Sequence, residues 1–237
     1  MRAVSSELQQ YMTGLTNEIS RGHFDEAVRL GEKALAMKEL RDEGNELLLG
    51  EVYRNMAAAS DRLGRNDEAL EYIDQAYDIH DTAVDENSGV ETLRERSATA
   101  SYVGVFALRA YLLAEGRDEA LADKARLMTR QAEQDMAKVN QLSKEEDADQ
   151  YEINMASRWG MIESLVGDKQ RGLALAGRAI RLAWQSERDQ QKGLTGRDVL
   201  RARTRAALRG MAAVAVNATS RFGATRGMAE KIALKTL

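Results

Sequence analysis

Apolar and small residues recur along this chain at three- and four-residue steps, the period at which a helix buries one face. In the segment from Gly50 to Asp81, GEVYRNMAAASDRLGRNDEALEYIDQAYDIHD, one face carries Tyr53, Met56, Ala57 and Ser60. Leu63-Gly64-Arg65-Asn66 then interrupts the pattern, and Gly64 suits the left-handed conformation that closes a helix. Asp67 and Glu68 open the next helix, where carboxylates complement the positive end of the helix dipole. Ala69, Ile73, Ala76 and Ile79 supply its inner face. The spacing predicts a pair of helices joined by a glycine turn.

The same frame returns around Gly22 with Tyr11, Gly14-Leu15, Phe24, Ala27, Gly31 and Ala34, and around Gly116 with Ala107-Leu108, Tyr111 and Ala120. It returns again around Gly167 with Trp159-Gly160, Gly172, Ala176 and Ala179, and a fainter copy turns at Gly223. Acidic joints separate the pairs: Asp42-Glu43-Gly44-Asn45, Asp85-Glu86-Asn87-Ser88-Gly89 and Glu145-Glu146-Asp147-Ala148-Asp149. Small residues at Ala27, Ala57, Ala69, Gly160 and Gly172 allow neighbouring helices to approach closely.

On these residues the chain resembles the tetratricopeptide repeat, over about residues 8 to 193. The resemblance implies an all-α, right-handed solenoid of four to five antiparallel helix pairs. Residues 1–193 would form the repeats, and 194–237 would be basic C-terminal helices serving as a fifth pair or a cap. Successive turn glycines stand 42, 52, 51 and 56 residues apart, against about 34 for the usual repeat. In that respect the chain is similar to the long repeats of kinesin light chains and bacterial signal-transduction regulators.

What the resemblance implies about function is a concave wall made mainly by the first helix of each pair. Carried over, the wall positions are Gln9, Met12, Thr13 and Thr16, then Glu51, Arg54, Asn55 and Asp61. The later copies give Tyr102, Phe106, Arg109 and Leu112, then Asn154, Ser157, Arg158 and Met161. Arginine recurs at 54, 109 and 158, and its planar fork suits a carboxylate, while Asn55 and Asn154 can bond an extended backbone. The expected ligand is a protein or peptide, bound through an acidic or C-terminal segment and anchored also by Tyr102 and Phe106. The competing reading is that these arginines are solvated or pair with Glu51 and Asp61.

Composition narrows the choices. Proline is absent from all 237 residues, so long helices run without the commonest cause of kinks. The absence of cysteine excludes disulfides and thiolate metal sites, and two histidines exclude a histidine-rich one. No phosphate loop, zinc-protease helix or nucleophile elbow occurs, and His23 and His80 fall at helix turns or ends, satisfied or facing solvent. The expectation is a non-enzyme without cofactor or metal. The N-terminus has no signal-peptide core, and no stretch approaches the run of about 18 apolar residues of a membrane span, so the expected location is the cytoplasm.

Charge is unevenly spread. Residues 194–237 hold nine Lys/Arg and two Asp/Glu, a balance of +7, which leaves −11 on the first 193. Thr195-Gly-Arg-Asp198 reads as a capping box, after which Arg197, Arg201, Arg205 and Arg209 repeat every four residues. Val199, Leu200, Leu208, Met211 and Val214 can supply an apolar side. Three uses of this helix stand open: capping the repeats, docking on another copy in a homo-oligomer, or binding nucleic-acid phosphates.

Overall fold

A computed structural model describes residues 4–114, 118–142, 148–190, 208–218 and 226–236. Every extended element among them is helical, and none is a strand. The chain divides into two compact units, residues 1–106 and 107–237. The boundary expected at 193 and 194 lies outside the described residues, as do the turns at Gly116 and Gly223 and the capping box.

The first unit begins with α1 (Ser6–Arg21), whose N-terminus is capped by the Ser5 hydroxyl accepting from the Leu8 amide at 3.2 Å. Gly22 closes α1 at φ +82°, its amide bonding back to the Glu18 and Ile19 carbonyls. Then α2 (Phe24–Ala36) opens with Asp25 and Glu26. A 3₁₀ turn (Lys38–Arg41) leads to α3 (Glu46–Arg62), and Gly64 at φ +75° turns the chain into α4 (Asn66–Thr82). The left-handed conformation predicted at Gly64 is therefore present, and Gly22 repeats it.

Helix α1 packs on α2, α2 on α3, and α3 on α4. Leu8, Leu15, Ala27, Val28, Leu40, Val52 and Met56 belong to one buried core. On α4 the predicted inner residues Ala69, Ile73 and Ala76 are buried, whereas Ile79 is only half-buried and His80 takes the buried place next to it. The joint Asp85–Gly89 is non-helical, as its composition suggests, and α5 (Val90–Leu113) follows. The division between the units falls inside α5.

The second unit contains α6 (Glu119–Leu142), α7 (Ala148–Val166), α8 (Lys169–Gln190), α9 (residues 208–218) and α10 (Arg226–Thr236). Here α7 packs on α8, α6 on α7, and α10 on α7. Met161, Ala176, Ala213, Val216, Ala229 and Ala233 form a core built mostly from alanine, so the helices lie close together. Helices α7 and α8 cross closely. A Cβ on Gly172 would stand 2.7 Å from the Ser164 amide nitrogen, and one on Gly160 would stand 2.9 Å from that of Ala176. Backbone meets backbone at this crossing, as the two glycines predicted.

Helix α9 corrects the apolar side expected of the tail. Leu208 and Met211 are exposed and Val214 is half-buried, while Gly210, Ala213, Val216 and Asn217 face inward. The smaller residues face inward because Gly210 sits against Ile180 and the Ala176 carbonyl, where a larger side chain has no room. Asn217 then donates to the Lys169 carbonyl at 2.6 Å and the Ser164 hydroxyl at 3.2 Å, satisfying polar groups at the α7–α8 turn.

Candidate functional site

The wall residues of the first unit centre on Arg54, in the middle of α3. Its side chain is 15% exposed and donates from Nη1 to Glu95 Oε2 at 2.5 Å. The same nitrogen lies 3.4 Å from the Thr99 hydroxyl. Arg54 thus bonds a carboxylate on α5, 41 residues along the chain, which spacing along its own helix does not offer. Glu51 lies beside this pair. Burial pushes its carboxyl above the usual range, the Arg54 charge opposes that shift, and Glu95 reinforces it. Asn55 follows Arg54, half-buried.

Thr99 continues the chain of polar groups into the interior. Its hydroxyl is 2.9 Å from His80 Nδ1, and His80 Nε2 is 3.3 Å from the Leu47 carbonyl. A carbonyl can only accept, so Nε2 carries the ring proton and Nδ1 accepts from Thr99. The ring fits against α3 because residue 50 is glycine, and a Cβ there would overlap it. His80 is a satisfied core histidine, one of the two dispositions the sequence suggested. His23 is exposed and 2.6 Å from Glu18.

Tyr102 and Phe106 sit one turn apart on α5 with ring centroids 5.9 Å apart and planes tilted by 52°. Tyr102 is half-buried, but Phe106 is only 5% exposed and gives its surface to the core. In the second unit Arg109 and Arg158 are half-buried, on α5 and α7 respectively, and the neighbouring wall positions Ser157 and Met161 are buried. Asn154 lies in α7, but its side chain is outside the described residues. Of the basic stripe, Arg197, Arg201 and Arg205 lie outside the described residues, and Arg209 is half-buried on α9.

A second cluster was not anticipated. Glu163 on α7 is fully buried, and its Oε2 accepts from the Asp168 amide at 2.8 Å. Its Oε1 faces Arg171 Nε at 3.3 Å and Arg130 Nε at 3.8 Å, and Arg171 also pairs with Glu133. This network joins α6, α7 and the start of α8. The signal was a lone carboxylate in the otherwise uncharged run Trp159-Gly-Met-Ile-Glu-Ser-Leu-Val166. Such a residue must be paired if the run is buried.

Among the described residues no group of His, Asp and Glu is arranged to hold a metal ion, and no helix is long and apolar enough to cross a membrane. No protein-family model matches the chain, and no curated protein matches it in sequence.

Proposed function

We propose that this chain is a non-enzymatic scaffold or adaptor of tetratricopeptide-like helix pairs, stacked as a solenoid, that binds a protein or peptide through the first helices of the pairs. The observation that carries this reading is the repetition in the first unit. Two successive helix pairs each reverse at a glycine of positive φ, and each second helix opens with two acidic residues. A helix pair cannot bury its apolar face alone, and stacking such pairs leaves an extended surface for a ligand.

On that surface Arg54 binds a carboxylate, supplied in the free protein by Glu95. A ligand carboxylate would take the place of Glu95, with Asn55 bonding its backbone and Tyr102 offering an apolar edge. Arg109 and Arg158 are the corresponding positions of the later repeats.

The test is affinity purification of the tagged chain from its native cells, with and without nuclease, followed by mass spectrometry. One protein enriched in both samples, and lost when Arg54, Arg109 and Arg158 are each changed to Glu, supports the reading. Retention of that protein by the triple variant would remove the arginine wall from it. Loss of every partner after nuclease would transfer the function to nucleic acid and to Arg197, Arg201, Arg205 and Arg209, since phosphate binding is carried by clustered cations.

A further inference from the structure

The buried His80 connects to the partly buried Arg54–Glu95 ion pair through a single hydroxyl. In the neutral state each group in the chain has one role. Arg54 donates to Glu95 and towards Thr99, Thr99 donates to His80, and His80 donates to the Leu47 carbonyl. A hydroxyl has one proton to give. A proton added to His80 Nδ1 turns that nitrogen into a donor, so the Thr99 proton must swing away. Thr99 Oγ1 would then face two cations, His80 and Arg54, inside the unit.

The charged groups that act on the ring are Arg54 from α3 and Glu95 from α5. Glu95 already bonds Arg54, so it cannot fully compensate a second positive charge. Gly50 leaves the ring no room to retreat towards α3, because the ring is already in contact with the helix there.

We propose that the Glu95–Arg54–Thr99–His80 chain is an acid-sensitive latch, which holds α4 against α3 and α5 while His80 is neutral and releases it when His80 takes up a proton. The energetics agree in sign. Burial chiefly, and then the Arg54 charge, hold the His80 imidazole below its usual range, while the Leu47 carbonyl and Glu95 oppose this. A base with a lower pKa folded than unfolded binds more protons in the unfolded state. Stability is therefore complete above the ordinary histidine range and falls as the pH drops below it. The latch does not depend on the peptide-binding reading.

The experiment is an NMR titration of the full chain, which has only two histidines, so the His80 signal is assigned by its loss in His80→Gln. His80 should titrate below the ordinary histidine value of about 6.5, and amide protection in α4 should be lost over the same pH interval. The folding constant of the first unit should fall as the pH drops below about 6.5, by at most about tenfold per pH unit for one proton, until folded His80 itself is protonated. In His80→Gln that slope should vanish, whatever the variant's stability at neutral pH. Should that variant not fold, Arg54→Met provides the second arm: removing the cation should raise the His80 midpoint. Titration of His80 at or above about 6.5, an unchanged slope in His80→Gln, or an unmoved midpoint in Arg54→Met would each overturn the latch.

Discussion

The turn glycines of the first unit and the glycines at the α7–α8 crossing of the second serve opposite ends. In the first, Gly22 and Gly64 reverse the chain at positive φ and meet nothing where a Cβ would stand, so their value is conformational. In the second, Gly160 and Gly172 lie inside helices, and their value is the space they leave between α7 and α8. The polar interiors differ as well. The first unit buries a neutral histidine in a hydrogen-bond chain, whereas the second buries a carboxylate between arginines. Their surfaces differ too. Among the described residues every exposed large apolar side chain, from Leu113 to Met228, belongs to the second unit. The first unit holds 11 Lys/Arg and 21 Asp/Glu, and the second 23 and 17, so one is net acidic and the other net basic. Tightness of packing and polarity of surface are thus set separately in each unit.

The contrast between the glycines is the most direct to break. Gly172→Ala should cost about 2–3 kcal/mol, because the new methyl meets backbone that cannot yield without separating the helices. Both tryptophans, Trp159 and Trp184, lie in the second unit, so urea unfolding followed by tryptophan fluorescence reads the loss there. Next comes Glu163→Gln, which leaves Arg130 and Arg171 beside an uncharged amide. With both guanidiniums partly in solvent, the expected loss is about 2 kcal/mol by the same measurement.

Gly64→Ala should cost less, about 1 kcal/mol, from backbone strain alone. It should appear in tyrosine fluorescence and circular dichroism while the tryptophan transition stays in place. A cost equal to that of Gly172→Ala would erase the distinction between turn and contact glycines. The smallest effect is expected at the exposed apolar positions. Leu127→Ser and Met228→Ser should each change stability by less than about 0.5 kcal/mol in thermal melts. A larger loss would mean that these side chains are covered in solution.

Local periodicity made the helices legible. Gly64, Ala69, Ile73 and Ala76 all have the environments that a three- and four-residue spacing assigns them. Long-range pairing was not legible, for a physical reason. Helix periodicity identifies neighbours on the same helix, so it offers Arg54 the carboxylates of Glu51 and Asp61 and cannot reach Glu95 on α5. His80 could be placed at a helix end, but its burial depends on Gly50 and Thr99, 30 residues before it and 19 after. Phe106 had the spacing of a wall residue, yet it is buried, because a degenerate motif fixes a helix but not its rotation by a few tens of degrees. On α9 the large apolar residues suggested the inner face, and close packing selected the small ones instead.

The meeting of α7 and α8 also bears on how this sequence can change over generations. Any replacement of glycine by another amino acid brings a Cβ. At Gly160 and Gly172 no first substitution is therefore small, and a second change on the facing helix cannot help, because what stands opposite is main chain. Gly22 and Gly64 are open where a side chain would go, and the strain of a replacement there can be offset elsewhere in the unit. Drift is therefore open at the turns of the first unit and closed at this crossing, so variants of the chain would keep the angle between α7 and α8 long after their surfaces had diverged.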